Sequence, residues 1–309
     1  MDWKKSKILL SGASGLVGTA LHSSLRASGA QVLQLVRRPP SSPNEIRWDP
    51  SANPPATKLD ALEGLTATIH LSGANVAAHR WAPAYRREIV TSRVDSTRAL
   101  SRALAALRTP PQALLVASAI GIYGDRGDAL LDESSPAGSG FLAEVCRDWE
   151  AAAQAAGYAS ISVAGIRVVH LRFGVVLAAG QGALGKMTPI FRLGLGGPIG
   201  NGRQWMSWIA IQDAVAAIRF LIETASVQGP VNLTAPNPVT NAEFTRALAA
   251  QLHCPALLPV PAFALRVAMG QMAEETILAS ARVRPARLLD AGFQFAYPTI
   301  EAALAANLP

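Results

Sequence analysis

The sequence predicts an α/β fold, a doubly wound parallel sheet with helices on both faces and a small C-terminal cap. Three observations carry that prediction. Short apolar runs alternate with longer amphipathic stretches along most of the 309 residues, the first run ends in a glycine-rich turn that opens a helix, and 50% of the residues are hydrophobic. That content fills one large core, or one core with a smaller appendage, and the alternation is that of strands joined by crossover helices.

The elements follow in order. KILLSG (7–12), QVLQLVRR (31–38), ATIHLSG (67–73), ALLVASA (113–119) and IRVVHLRFG (166–174) read as strands. Such short apolar runs suit strands covered on both faces. Helical spacing occupies 16–28, 83–107, 138–156 and 211–225, with a further helix over 241–252. From Pro255 onward prolines punctuate the chain, and AFALRVAMGQMAEE (262–275) is mostly apolar at helical spacing. The expected division is a dinucleotide-binding unit over 1–230 and a C-terminal domain over 255–305 packed on it.

The net charge of +7 comes mostly from scattered arginines, and only Lys4, Lys5 and Lys7 cluster. No basic stripe interleaved with aromatics follows a phosphate backbone, so a phosphorylated small molecule is expected and a nucleic acid is not. The two cysteines, Cys146 and Cys254, form neither a disulfide framework nor a metal-ligand spacing. A reducing compartment and no metal are expected. The basic start precedes an apolar run that soon meets Ser-Gly, too short for an export signal, and no run reaches the ~20 residues that span a bilayer. The expectation is a soluble, cytoplasmic protein with no membrane partner.

SGASGLVG places Gly12, Gly15 and Gly18 directly after the first strand and at the opening of a helix. Gly12 permits the tight turn, Gly15 lets a pyrophosphate approach the backbone, and Gly18 brings the helix close to the strand. The helix N-terminus supplies N–H groups and a positive dipole end for phosphate. An ordinary glycine-rich turn is the alternative for the triplet alone, and its position in a Rossmann-like alternation argues against it. At the end of the second strand an acid holds ribose hydroxyls, whereas an arginine holds a 2′-phosphate. Arg37 and Arg38 stand there, which points to NADP(H); the alternative is a solvated loop charge.

These motifs, with LSGANVA (71–77), SAIGIYGDRGD (118–128) and FLAEVCRDWEAAA (141–153) in this order, resemble the extended short-chain dehydrogenase/reductases. The chain is more specifically similar to their atypical "epimerase family" branch, related to sugar-nucleotide epimerases. HRWAPAYRREIVTSRVDSTRAL (79–100), RLGLGGPIGNGRQWMSWIAIQDAVAAI (192–218), APNPVTNAEF (235–244) and the tail from PVPAFALRVAMG carry that narrower likeness. The resemblance implies a diphosphate loop of Gly12, Ser14, Gly15, Leu16, Val17 and Gly18, with Arg37 and Arg38 at the 2′-phosphate. It also implies Leu71, Ser72 and Gly73 along the cofactor, Glu88 and Arg93 around the dinucleotide, Val175 near the nicotinamide, and a homodimer. On spacing alone Glu88 and Arg93 are ordinary helix-surface charges.

The wider family uses a Tyr and a Lys one helical turn apart, with a Ser or Thr on the preceding strand end. With Glu150 as anchor, Leu142 stands for the Tyr and Cys146 for the Lys. Tyr85, Tyr123, Tyr158 and Tyr297 are followed at that spacing by Ile89, Gly127, Ser162 and Glu301, so no tyrosine in the chain has the partner lysine. Ser118 falls one step before the serine position, which holds Ala119. The candidate replacements are Tyr123, Lys186, Cys146 and Ser118. Cys146 also reads as a small packed hydrophobe, Tyr123 as a ring buried beside the sheet, and His70 and His170 as structural histidines. GGPIGNGRQWMSW offers Arg203 and Trp205 as a phosphate clamp and a stacking surface for an unidentified small substrate, the alternative being a packed turn. Two functions follow: an NADP(H)-binding oxidoreductase or epimerase-like enzyme, or a non-catalytic NADPH sensor or scaffold, for example in cell division.

Overall fold

The computed structural model describes residues 1–50, 59–156 and 165–308. Seven parallel strands form one sheet: β1 Lys7–Ser11, β2 Gln31–Val36, β3 Glu45–Arg47, β4 Ala67–His70, β5 Ala113–Ala119, β6 Arg167–Phe173 and β7 Gly229–Leu233. Their spatial order is β3-β2-β1-β4-β5-β6-β7, with Leu9 opposite Leu33 and Thr68, and Val116 opposite His70 and His170. The order reverses between β1 and β4. In folds of this kind the ligand crevice lies beyond the carboxyl ends of the strands at such a switch point.

The pleat sorts the core. Ile8 and Leu10 point to one face, under α1 (Leu16–Ala27) and the later helix Ile211–Glu223, where Leu21, Leu25, Ile218 and Leu221 close over them. Leu9 points to the other face and packs with Leu100, Leu104 and Trp149. Each of these side chains is at most 5% exposed, so successive strand residues serve opposite layers.

The five apolar runs read as strands in the sequence all lie in this sheet. The predicted helix 83–107 is corrected: it is two helices, α2 Pro83–Thr91 and α3 Val94–Ala105. Ser92 and Arg93 break it by turning to the neighbouring loop. The Ala74 N–H donates to Ser92 Oγ at 3.0 Å, and Arg93 donates to the Ala74 carbonyl at 2.8 Å. The helix predicted over 138–156 is α4, Phe141–Ala153, with a 3₁₀ turn after it. Strands β3 and β7 were not anticipated, β3 because its three residues are too polar and β7 because it opens on Gly-Pro. Helix α5, Gly182–Arg192, was also missed, since Gly185 and Pro189 interrupt its pattern.

The chain continues through α6 Ile211–Glu223 and α7 Asn241–Gln251, whose Thr240 and Glu243 form a reciprocal N-terminal cap. Helices α8 Ala262–Met269, α9 Ala286–Asp290 and α10 Ile300–Asn307 complete the tail, with a π-helical turn at Ala273–Ile277. Trp208, Phe244, Leu248 and Leu304 join α7 and α10 in a third apolar cluster. Strand pair Leu130–Leu131 with Arg282–Val283 also ties the tail to the body.

Asp213 on α6 is buried and accepts the N–H groups of Ala296 and Tyr297, both at 2.9 Å. Asp213→Ala leaves both amides without acceptors and is expected to cost about 2 kcal/mol in urea unfolding. An unchanged midpoint contradicts this anchoring role.

Candidate functional site

The turn between β1 and α1 is shaped by what it cannot contain. Gly12 has φ +71°, and an added Cβ would lie 2.7 Å from the Leu71 carbonyl carbon. One on Gly18 would lie 2.0 Å from the Gly12 carbonyl oxygen. Helix α1 therefore begins against the strand end, with Ser14 and Gly15 exposed and no side chain capping its N-terminus. Its first turn holds no acidic residue. Uncapped N–H groups in a glycine-rich turn suit a phosphate.

A hydrogen-bonded chain fixes the adjoining strand ends. The Leu71 N–H donates to Ser11 Oγ (3.2 Å), and Ser11 Oγ lies 2.6 Å from His70 Nδ1. His70 Nε2 lies 3.2 Å from Ser96 Oγ, which donates to the Ser92 carbonyl at 2.6 Å. Since Ser96 donates onward, His70 donates to it from Nε2 and accepts from Ser11 at Nδ1, as a neutral ring. Burial lowers the His70 pKa from 6.5 to about 4. His70 is thus a structural histidine beneath the loop.

At the end of β2 the two arginines separate. Arg38 is bound to Glu45 in a bidentate pair with contacts of 2.5 and 2.8 Å, and Ser41 completes the cluster. Arg38, with Ser41, holds the Glu45 carboxyl down at about 2. The sequence expectation treated both arginines alike. The structure corrects it, because the Arg38 fork is committed to its own loop, while Arg37 is exposed and has no hydrogen-bond or ion-pair partner among the described residues.

Leu71, Ser72 and Gly73 run from the end of β4 past the glycine turn. Arg93 lies over this segment: a Cβ on Gly73 would sit 3.3 Å from its guanidinium carbon. The guanidinium donates to the carbonyls of Ile89 and Ala74 and stacks 5.1 Å from the Trp149 ring. Desolvation depresses its pKa, and no carboxylate pairs with it among the described residues. Glu88 is exposed on α2. Val175 starts the short strand Val175–Ala178, which pairs with Trp208–Ala210. Helix α5 begins beside Leu16, since a Cβ on Gly182 would lie 3.1 Å from the Leu16 side chain.

The expected proton donors are not brought to the crevice. Tyr123 is 0% exposed, its hydroxyl donating to Asn232 Oδ1 at 2.8 Å and accepting from Arg172 at 2.9 Å. Burial raises its pKa. Ser118, 3% exposed, donates to Glu150 at 2.7 Å. Cys146, also 3% exposed, packs with Ile122, Leu131 and Val283, and burial pushes its thiol up to about 11. These three expectations are corrected for one reason: each reactive atom faces inward, either bonded or surrounded by apolar groups. Lys186 is exposed on α5. Tyr158 lies outside the described residues.

Glu150 and Arg172 were not foreseen as the organisers of this region. Arg172 grips Glu150 through contacts of 2.8 and 2.9 Å, both side chains being largely buried. Burial works against the Glu150 carboxylate, but Arg172 outweighs it and holds the pKa below the ordinary value. The network extends to Asn232, whose N–H donates to Glu133 at 2.9 Å. The only sequence signal was the family acid at Glu150, read as an anchor for alignment rather than as a partner.

In the expected recognition loop, Trp205 is half-buried and already engaged. Its indole N–H donates to Asp128 at 2.9 Å, and Arg282 stacks 4.2 Å from its ring. Arg203 remains exposed, with its backbone N–H donated to Asn201. Glu275 is a further unforeseen residue. Its carboxylate accepts the N–H groups of Phe141 and Leu142, at 3.1 and 2.8 Å, and so caps α4 at the position where the family tyrosine would stand. Among the described residues, no three His, Cys, Asp or Glu side chains are placed to hold a metal ion, and no helix is long and apolar enough to cross a membrane.

The sheet order and the glycine turn define a Rossmann-type α/β protein with an uncapped helix N-terminus at its first strand-to-helix turn. The chain belongs to the NAD dependent epimerase/dehydratase family, whose model matches residues 8–233, and a domain of unknown function (DUF1731) matches 260–306. It is 42% identical over 301 residues to the epimerase family protein ML0860 of Mycobacterium leprae, covering 97% of this chain and 95% of that one. The crystal structure of the human epimerase family protein SDR39U1 with NADPH superposes with a TM-score of 0.86 at 34% identity, covering 97% and 98% of the two chains. A nucleoside-diphosphate sugar epimerase from Corynebacterium glutamicum matches with a TM-score of 0.79 at 37% identity, over 98% of this chain and 58% of that longer one.

The His70 network predicts a pH dependence. The folded-state pKa lies below the unfolded one, so the unfolded chain takes up the proton first and stability falls as pH drops from 6.5 to about 4. The loss attributable to His70 is about 3 kcal/mol across that window. Urea unfolding of the wild type and of His70→Gln at pH 7 and pH 5 measures it; equal pH slopes for the two contradict the assignment.

Proposed function

We propose that this chain binds NADP(H) at the Gly12–Gly18 turn and acts as an oxidoreductase or epimerase-like protein on a small, nucleotide-linked substrate. The observation that carries the cofactor reading is the unpaired Arg37 at the end of β2, beside a cradle that excludes Cβ atoms at Gly12 and Gly18. The residues fit the group. Gly12, Ser14, Gly15, Leu16, Val17 and Gly18 would surround its diphosphate, with Arg37 on the 2′-phosphate and Arg38 bracing the Arg37 loop through Glu45. Leu71, Ser72, Gly73, Glu88 and Arg93 would lie along the adenosine side, and Val175 toward the nicotinamide. The human relative crystallised with NADPH supports the same reading.

Bound nicotinamide supplies hydride chemistry. The protein orients it and excludes water, and of the four candidate proton donors only Lys186 is exposed. Arg203 is the remaining candidate for gripping an anionic group of the substrate. A homodimer and a cytoplasmic setting belong to this reading, as do the units 1–230 and 255–305. The inward commitment of Tyr123, Ser118 and Cys146 favours a second reading, in which the chain is a non-catalytic NADPH sensor or scaffold.

Isothermal titration is expected to show NADPH binding at least about tenfold tighter than NADH, a ratio that Arg37→Ala abolishes. Equal affinities in the wild type contradict the 2′-phosphate role. Absorbance at the nicotinamide band and substrate-proton exchange, across nucleotide sugars, quinones and small carbonyl compounds, separate the two readings. Turnover lost in Lys186→Met but kept in Tyr123→Phe supports the enzyme with a rebuilt site, whereas tight NADPH binding without oxidation or exchange supports the sensor.

A further inference from the structure

Among the described residues nine large apolar side chains are left exposed, and all but Met1 and Leu130 fall within 190–195 and 257–267. These two stretches are neighbours in space. The Val260 N–H donates to the Pro198 carbonyl and the Gly200 N–H to the Val260 carbonyl, both at 2.9 Å. A Cβ on Gly197 would lie 1.9 Å from the Leu258 carbonyl oxygen. The resulting surface carries Leu193 at 74% exposure, Leu257 at 81%, Phe263 at 68% and Val267 at 73%. Phe263 and Val267 are one turn apart on α8, a helix with no buried residue at all. Scattered apolar side chains need no explanation, but seven confined to two adjoining segments mark a contact surface.

The exposed charge beside it is mostly basic. Residues 174–212 hold Lys186, Arg192 and Arg203 without a single Asp or Glu, and 244–273 hold Arg246 and Arg266 before Glu274 follows. Lys186, Arg192 and Arg203 are exposed and unpaired with any carboxylate among the described residues, whereas Arg266 is held by Glu274. A second copy docked on the same face would set like charges against each other. An apolar protrusion flanked by free cations matches the headgroup layer of an anionic bilayer, where weak apolar insertion and cation attraction reinforce one another.

We infer that this face, formed by the end of α5, the 193–200 segment and α8, docks on an anionic membrane surface. The expectation of no membrane partner rested on the lack of a spanning run; this patch is assembled from two separate segments only in the fold. The inference shares Lys186 and Arg203 with the proposed activity, but its test substitutes neither.

Co-sedimentation of the full chain with vesicles tests it, using phosphatidylcholine alone or mixed with phosphatidylglycerol. Binding at least about tenfold tighter to the anionic vesicles is expected, weakened by salt and by about fivefold in Arg192→Gln. The doubly substituted Leu257→Asp, Phe263→Asp chain should lose vesicle binding while keeping its thermal midpoint and its NADPH affinity, because both positions are exposed and away from the glycine turn. Equal affinity for both vesicle types overturns the inference, as does binding that survives the double substitution. A dimer in sedimentation equilibrium that Phe263→Asp dissociates also overturns it, since a second copy then covers the face.

Discussion

The bidentate pair between Arg172 and Glu150 determines what the carboxyl ends of β5, β6 and β7 can become. Two charges held largely out of water are tolerable only when their remaining hydrogen-bonding capacity is filled. Ser118 and Tyr123 fill it, and through Tyr123 the demand passes to Asn232 and then Glu133. Each member is satisfied by the next. None can be diverted to a substrate without exposing a neighbour's unmet charge, so groups that look reactive in the sequence serve as structural polar residues in the fold.

The crevice is consequently two unlike halves. On the β1 and β2 side, backbone N–H groups, a bare glycine turn and Arg37 remain uncommitted. On the β5 to β7 side, polar atoms are used internally and α4 presents Leu142 under the Glu275 carboxylate. Such a division lets a cofactor-binding turn persist while the chemistry beside it is rebuilt or given up, because the two halves share little beyond the sheet that carries them.

Much of the fold was legible because it follows from local pattern. Five of the sheet strands read directly as apolar runs, and the glycine turn was visible because steric exclusion at Gly12 and Gly18 leaves no other residue type. What failed was non-local. The break between α2 and α3 comes from the Ala74 backbone, which no helical periodicity in 83–107 can register. Likewise Arg37 and Arg38 look equivalent in sequence, and only the return of β3 with Glu45 distinguishes them. Trp205 read as a free stacking surface because its partners, Asp128 and Arg282, stand far from it along the chain. Residue type exposed the cofactor turn; the state of each candidate acid depended on partners that arrive from elsewhere.

The Glu275 cap also bears on the order in which the polypeptide can mature during synthesis. Helix α4 belongs to the sheet-forming half, yet its first N–H groups are satisfied by a carboxylate more than a hundred residues further along. Asn232 similarly waits for the Arg284 carbonyl. A nascent chain that has completed all seven strands still carries an open helix end and an incomplete polar network, and contacts of such long sequence separation close slowly. The segment from Glu275 to Arg284, made after all seven strands, therefore locks the centre of the molecule, and chaperone dependence should be concentrated in the interval before it emerges.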